Sequence, residues 1–421
     1  MTDTATAEAR GIAQRARDAQ RAAMKATGRG RADALRALYL ELEARSDEIA
    51  AANASDLARA AAEGLDGPLL HRLGLPPAKV ATLRDGVLDL SKRPDPVGAV
   101  LARRRLDDGL ELRQVSSPLG VLLIVFESRP DAVIQIGALA IRSGNAVILK
   151  GGSEASRTNR VLVECLRSSL EEVGLPADLV IGVEGREMVG ALLACDTEID
   201  LVIPRGSGSL VRAITDGTRI PVLGHAEGVC HVYLDAAASP EKALAVCLDG
   251  IMDYPAACNA TETLLVHEEF RPTFSALQGV LLAQGANLVD PSTEADWGTE
   301  YGTPTANVRY VGSLDEAIDH IHRYGSGHTD SIVTEDPDAA ARFLAEVDSA
   351  SVMHNASTRF ADGYRYGLGA EVGIATGRLH ARGPVGVEGL LTTRWLLRGD
   401  GHVVSEYSSG ERSFAWKNLP V

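Results

Sequence analysis

Cys258 is set apart from the other four cysteines of this 421-residue chain by its neighbours. Cys165 and Cys247 lie within apolar helical stretches, Cys195 ends one and Cys230 opens a strand, places where a free thiol behaves as a small hydrophobe. Cys258 follows Tyr254-Pro255-Ala256-Ala257 and precedes Asn259-Ala260, small residues that give an electrophilic carbon room to approach. Thiolates attack acyl carbons readily, and a nearby backbone amide or helix N-terminus lowers the thiol pKa. On spacing alone two readings of Cys258 stay open, a nucleophile or one more structural thiol. His225 and His231 are candidates for proximity to it, without a defined Cys-His pair. An odd set of five cysteines with no paired spacing predicts neither a disulfide framework nor a zinc ribbon, and points to a reducing cytoplasm. There is no Walker loop, HExxH helix or CxxC pair, so no metal and no nucleotide hydrolysis are expected.

Turns rich in glycine form a second group of candidates. The apolar run 146–149 enters Lys150-Gly-Gly-Ser-Glu154, and 201–203 enters Pro204-Arg-Gly-Ser-Gly208 ahead of another helix. The sequence Gly-Ser-Gly-Ser after Arg205 lacks the third glycine of the dinucleotide fingerprint. Gly367, Gly369 and Gly373 follow no obvious strand. As isolated motifs all of these read as ordinary turns.

The elements around these residues predict where ligands gather. Leu35, Leu38, Leu42 and Ile49 recur at helical spacing in a helical first hundred residues. From Gly109 the pattern changes to two short β-rich runs split by Ser-Ser-Pro-Leu-Gly, read as strands joined by a turn, a hairpin near Pro118. Helices then alternate with short, wholly apolar strands, as in a parallel sheet covered on both faces. In such sheets ligands bind at the carboxyl ends of the strands. A second βα series begins near Cys230 and carries the Cys258 loop. The run 390–397 reads as an edge strand, followed by a polar tail expected to be ordered only against a neighbouring subunit.

Composition narrows the partners. Apolar residues at 45% and charged residues at 24% describe a globular chain, and its length predicts two or three domains. Against 42 basic side chains stand 57 acidic ones, a net charge of −15 that repels nucleic acid and anionic membranes. Anionic small ligands then need local Lys, Arg or helix N-termini. The N-terminal stretch has no apolar signal core and carries Asp3, Glu8 and Asp18. The longest apolar runs, such as 121–126, are far short of the roughly 20 residues of a membrane span. The sequons at Asn53, Asn259 and Asn355 are therefore read as accidental.

Six blocks, VFESRPD (125–131), SGNAVILKGGSEA (143–155), LVIPRGS (201–207), GHAEGVCHVYLD (224–235), DYPAACNATETLLVH (253–267) and the stretch 355–390, closely resemble the gamma-glutamyl phosphate reductase family. They also resemble the reductase half of bifunctional pyrroline-5-carboxylate synthase, whose kinase half has no counterpart here. The resemblance covers nearly the whole chain, in order. It implies an aldehyde dehydrogenase-like α/β fold: a Rossmann-type NADP-binding domain at 1–105 and 123–226, a second α/β catalytic domain at 227–388, and a small β oligomerisation element at 106–122 and 389–421.

The resemblance also implies roles. Cys258 matches the catalytic cysteine, and Ser128 falls near the place of an oxyanion-hole asparagine in hydrolytic relatives. Lys150, Ser153 and Glu154 match the loop at the adenosine ribose, Arg205, Gly206 and Ser207 the pyrophosphate turn, Gly224 the cofactor side of the site, and Glu300 the residue at the nicotinamide ribose. A lysine beside the ribose suits NADP(H). Substrate contacts are expected from Arg129, His225, Asn355, Ser357, Thr358 and Arg359, with Arg129 and Arg359 as forks for phosphate or carboxylate. Either arginine serves equally well in a structural ion pair. Hydrolytic relatives carry a general-base glutamate in Glu-Leu-Gly-Gly, where this chain reads Val222-Leu223-Gly224-His225. The implied activity is NADPH-dependent reduction of L-glutamyl 5-phosphate to glutamate 5-semialdehyde in proline biosynthesis, by a cytoplasmic homodimer or homotetramer that associates with glutamate kinase. Its rivals are a hydrolytic aldehyde dehydrogenase and a catalytically silent partner of that kinase.

Overall fold

Helices Asp3–Ala23, Gly28–Ala44, Ser46–Ala62, Gly67–Leu73 and Pro77–Lys92 form the N-terminal part of the computed structural model, which describes residues 3–224, 227–291 and 297–421. Thr27 starts the second of them by accepting the Gly30 N–H at 3.2 Å. Its apolar stripe, Leu35, Leu38 and Leu42, is buried in one core with the strands that follow, and Ile49 joins it from the next helix.

Among the described residues that core surrounds a parallel sheet in the order Val180–Val183, Ala146–Lys150, Val121–Phe126, Leu201–Arg205. All six residues of Val121–Phe126 are buried because helices cover both faces of the sheet. The chain steps outward twice on one side of this central strand and then returns to the other. The reversal leaves a crevice between the carboxyl ends at Phe126 and Arg205.

The second sheet is also parallel, in the order Ser351–His354, Thr329–Val333, Cys230–Leu234, Thr261–His267, Thr305–Val311, Asn287–Val289. Helices Pro240–Met252 and Arg271–Ala283 pack on one face, Leu314–Tyr324 and Pro337–Glu346 on the other.

A third, antiparallel sheet corrects two expectations. Strand Leu110–Pro118 makes no hairpin with Val121–Phe126, which belongs to the first sheet. It pairs instead with Val100–Asp107, through a turn at Gly109 with φ of +74°, and with Leu391–Arg398. The strand content of the third sheet thus begins at Val100. The polar tail is ordered within its own chain, since Lys417–Leu419 pairs with the free edge of Val100–Asp107, where unpaired backbone groups need partners. Leu391–Arg398 is an outer strand, with Trp395 and Leu397 each 58% exposed. No described helix is long and apolar enough to cross a membrane.

Candidate active site

The Cys258 loop joins helix Pro240–Met252 to strand Thr261–His267. Its turns close through Ala257 N–H to the Tyr254 carbonyl at 3.0 Å and Ala260 N–H to the Ala257 carbonyl at 2.8 Å. Tyr254 takes a φ of +141°, a costly conformation for a residue with a Cβ. Three outside contacts hold the loop. Asn259 donates its amide to the Ala361 carbonyl at 2.8 Å, the Arg72 guanidinium donates to the Ala256 carbonyl at 3.3 Å, and the Cys230 thiol donates to the Cys258 carbonyl at 3.4 Å. Gly228 lies against the Cys258 backbone, and its N–H donates to Glu300 at 2.9 Å.

Burial separates the thiols as their settings predict. Cys258 is half-buried, whereas the other four are buried. Desolvation pushes Cys165 up to about 11 and Cys247 to about 12, and raises Cys195 and Cys230 as well. Those thiols stay protonated at neutral pH. The Cys258 N–H has no acceptor among the described residues, so it is available to a developing oxyanion.

Cys258 opens on a cavity of about 570 Å³. Of the residues singled out in the sequence, Arg129, Arg205, Gly206, Ser207, Gly224, Glu300 and Arg359 line it. A second cavity, about 680 Å³, holds Lys150, Ser153 and Glu154 at the carboxyl end of strand Ala146–Lys150. Glu127 lines both, at the reversal point of the first sheet. Ser207 caps helix Gly208–Gly217, which directs that helix's N-terminus toward the Cys258 cavity.

Other candidates are placed differently. Ser128 does not line the Cys258 cavity: with φ of +48°, its N–H and hydroxyl both donate to Glu154, at 2.6 and 3.0 Å. Asn355 and Ser357 line a separate cavity of about 600 Å³, which Arg359 also borders. Asn355 bonds both backbone groups of Thr334, and Ser357 accepts the Arg359 N–H at 3.2 Å. Thr358 is buried, its hydroxyl 3.0 Å from that of Thr261. His231 is buried on Asp330 at 2.8 Å and does not line the Cys258 cavity. His225 lies outside the described residues.

The arginines differ in their commitments. Arg129 has no carboxylate or carbonyl partner among the described residues. Arg205 reaches the Glu371 carbonyl at 3.4 Å, and burial together with Arg129 depresses its pKa. Arg359 is paired with Asp253 at 3.3 Å, an acceptor it shares with Arg365. Arg129 is thus the freer fork.

Arg72 also lines the cavity from outside the sequence blocks, and Glu127 and Glu371 line it from within two of them, where residue type alone does not single them out. Arg72→Ala removes a charged donor from the Ala256 carbonyl, and such bonds contribute about 1.5–3 kcal/mol. Steady-state assays of this variant are expected to give kcat about tenfold below wild type or lower, with Arg72→Lys intermediate. Unchanged kcat in Arg72→Ala would show that the loop holds itself.

Comparison with known proteins places this geometry in a lineage. Residues 114–299 match the model of the aldehyde dehydrogenase family. The chain is 51% identical over 403 residues to the gamma-glutamyl phosphate reductase of Synechococcus sp. (strain WH7803), covering 93% of each chain. It is 48% identical over 382 residues to the enzyme of the same name from Acetivibrio thermocellus, covering 88% of this chain and 89% of that one. The crystal structure of gamma-glutamyl phosphate reductase from Thermotoga maritima superposes with a TM-score of 0.90 at 35% identity, covering 93% of this chain and 99% of that one. An acetylating aldehyde dehydrogenase from Geobacillus thermoglucosidasius shares the fold, with a TM-score of 0.68 at 17% identity. By this likeness along nearly its full length, the chain belongs to the gamma-glutamyl phosphate reductase family, on the aldehyde dehydrogenase fold.

Proposed function

We infer that the protein reduces L-glutamyl 5-phosphate to L-glutamate 5-semialdehyde and inorganic phosphate with NADPH, the second step of proline biosynthesis from glutamate. The observation that carries this reading is the accessible Cys258 thiol in a cavity shared with an uncommitted arginine, Arg129, and connected along Glu127 to a second cavity.

The cofactor fits the residues present. Lys150 and Arg186 line the second cavity, and neither has an acidic partner among the described residues. Such cations suit the extra phosphate of NADPH over NADH. Lys150, Ser153 and Glu154 would hold the adenosine ribose, with Ser128 fixing Glu154. Arg205, Gly206, Ser207 and the N-terminus of Gly208–Gly217 would hold the pyrophosphate, Gly224 would border it, and Glu300 would hold the second ribose. When bound, NADPH supplies the hydride that reduces an acyl group.

The chain's own steps follow. The Cys258 sulfur attacks the 5-carbonyl carbon of the substrate while its N–H holds the oxygen. The bond from that carbon to the oxygen that bridges it to phosphorus then breaks, inorganic phosphate leaves with that oxygen toward Arg129, and a thioester remains on Cys258. Arg359, with Asn355, Ser357 and Thr358 shaping its turn, is the candidate for the α-carboxylate. After reduction the hemithioacetal collapses, releasing semialdehyde and free thiol.

Water attack on the thioester is disfavoured because Val222, which cannot take a proton, stands where hydrolytic relatives hold their base. The test is phosphate dependence in reverse. Oxidation of glutamate semialdehyde by NADP+ should require inorganic phosphate and fall at least about tenfold without it. Oxidation that proceeds equally well in phosphate-free buffer would establish the hydrolytic rival.

The domain boundaries follow the same reading: residues 1–105 and 123–226 for the cofactor, 227–388 for the nucleophile, 106–122 and 389–421 for self-association. The outer strand Leu391–Arg398, with its exposed Trp395, supports a homodimer or homotetramer. A cytoplasmic location and association with glutamate kinase complete the proposal.

A further inference from the structure

Among the buried acids that the mechanism above does not use, Glu262 lies nearest to Cys258 in the chain. Glu262 stands four residues after Cys258 and is 1% exposed. It sits where the pairing of strands Cys230–Leu234 and Thr261–His267 slips, with Cys230 opposite Thr261 and His231 opposite Thr263. Such an irregularity re-aims a side chain out of the regular alternation. Its Oε2 accepts the Tyr301 N–H at 3.1 Å. The Tyr301 hydroxyl donates to Asn307 at 2.7 Å, a second anchor on the same sheet. Glu300, the preceding residue, accepts the Gly228 N–H, and Gly228 lies against the backbone of Cys258.

We propose that Glu262 is a positioning residue: through Tyr301 it sets Glu300 on Gly228, and so fixes both the floor of the Cys258 loop and the carboxylate offered to the cofactor. The proposal rests on the reading of Glu300 as a ribose ligand given above.

Charge reinforces the geometry. Burial pushes the Glu262 carboxyl up to about 8, with Glu300 adding to the rise and the Tyr301 and Gly302 N–H groups opposing it. From strand Cys230–Leu234 the facing ionisable group is the Cys230 thiol, held protonated by burial, and from the segment before strand Thr305–Val311 it is Glu300. Thr305–Val311 contributes the neutral Asn307. A neutral Glu262 therefore sets no like charge beside Glu300. Once ionised, it places a second negative charge beside Glu300 in a poorly solvated region, and the 300–302 backbone is pushed away.

The sign is fixed by the raised pKa: the arrangement holds below about pH 8 and weakens above it. The experiment is NADPH binding, read by nucleotide fluorescence from about pH 6 to about pH 9.5, well beyond the ordinary carboxyl range. Wild type, Glu262→Gln and Glu262→Ala are compared, with thermal melting of each sample. Wild-type affinity is expected to fall about tenfold more than that of Glu262→Gln across this range, since Gln still accepts the Tyr301 N–H and cannot ionise. Glu262→Ala, lacking the acceptor, should bind about tenfold more weakly already at pH 7. Superimposable pH profiles for wild type and Glu262→Gln would overturn the proposal, whether or not the Ala variant folds. A folded Glu262→Ala that binds as wild type does would overturn it too. Turnover of glutamyl phosphate by the same wild-type sample separates the two ideas: its absence counts against the proposed function, matched profiles against Glu262 alone.

Discussion

Cys258→Ala is expected to lower NADPH-dependent reduction of glutamyl phosphate by more than about 10,000-fold while NADPH affinity stays within about twofold of wild type. The size of the effect follows from the lack of any substitute. Cys230 is the thiol next to the loop, yet it is buried, its pKa is raised well above the ordinary range, and it donates to the Cys258 carbonyl. It cannot reach a substrate carbon without unfolding the strand it begins. Water cannot stand in either, since no glutamate occupies the position of the hydrolytic base. A direct companion measurement is intact mass. Wild type incubated with glutamyl phosphate in the absence of NADPH should gain one glutamyl group with release of inorganic phosphate, and Cys258→Ala should gain none. Turnover retained by the alanine variant would remove the covalent step and the reading built on it.

How much of this was legible depended on the range of the interactions involved. The strands 121–126, 146–150 and 201–205 are readable because the part of a strand covered on both faces must be apolar, as the runs 121–126, 146–149 and 201–203 are. The same rule contained a warning about the supposed hairpin. Leu110–Pro118 mixes polar and apolar residues, unlike the uniformly apolar Val121–Phe126, and two strands of such different burial belong to different sheets. The tail left no pattern at all, because Lys417–Leu419 is held to Val100–Asp107 by main-chain bonds that any side chains permit. At the site, the exceptional setting of Cys258 was visible in its small neighbours. Ser128 was placed on the right stretch of chain, but the direction of its hydroxyl follows from a φ of +48° that residue types do not encode. Arg72 and Ala256 are 184 positions apart, and nothing local to either marks the contact. Glu262 is hidden for the same reason: it is a polar residue in a strand, and its contact with the Tyr301 N–H exists only once that segment is folded onto it.

Gly228→Ala should be the most damaging change after loss of the thiol, although residue 228 carries no reactive group. A Cβ built there would stand 2.0 Å from the Cys258 carbonyl oxygen and 2.6 Å from both its carbonyl carbon and its Cα. All three are backbone atoms, so no side-chain rotation relieves the overlap, and either segment 227–229 or the 254–260 loop must move by about 1 Å. Movement of the first pulls the Gly228 N–H off Glu300, and movement of the second displaces the sulfur from its approach line. A shift of that size costs about 100-fold in rate when the reacting groups depend on alignment. We therefore expect kcat to fall about 100-fold or more. Thermal melting should change only modestly, because Gly228 precedes strand Cys230–Leu234 and leaves its pairing with Thr261–His267 and Thr329–Val333 intact. Gly279→Ala is the matched control: it lies within helix Arg271–Ala283 with nothing within 4 Å of a new Cβ, so it should keep full turnover and gain about 0.5–1 kcal/mol of stability. Turnover of Gly228→Ala within about threefold of wild type would mean that the loop tolerates displacement, since a change of that size corresponds to less than about 1 kcal/mol of transition-state stabilisation. The close contact between Gly228 and Cys258 would then have no part in placing the sulfur.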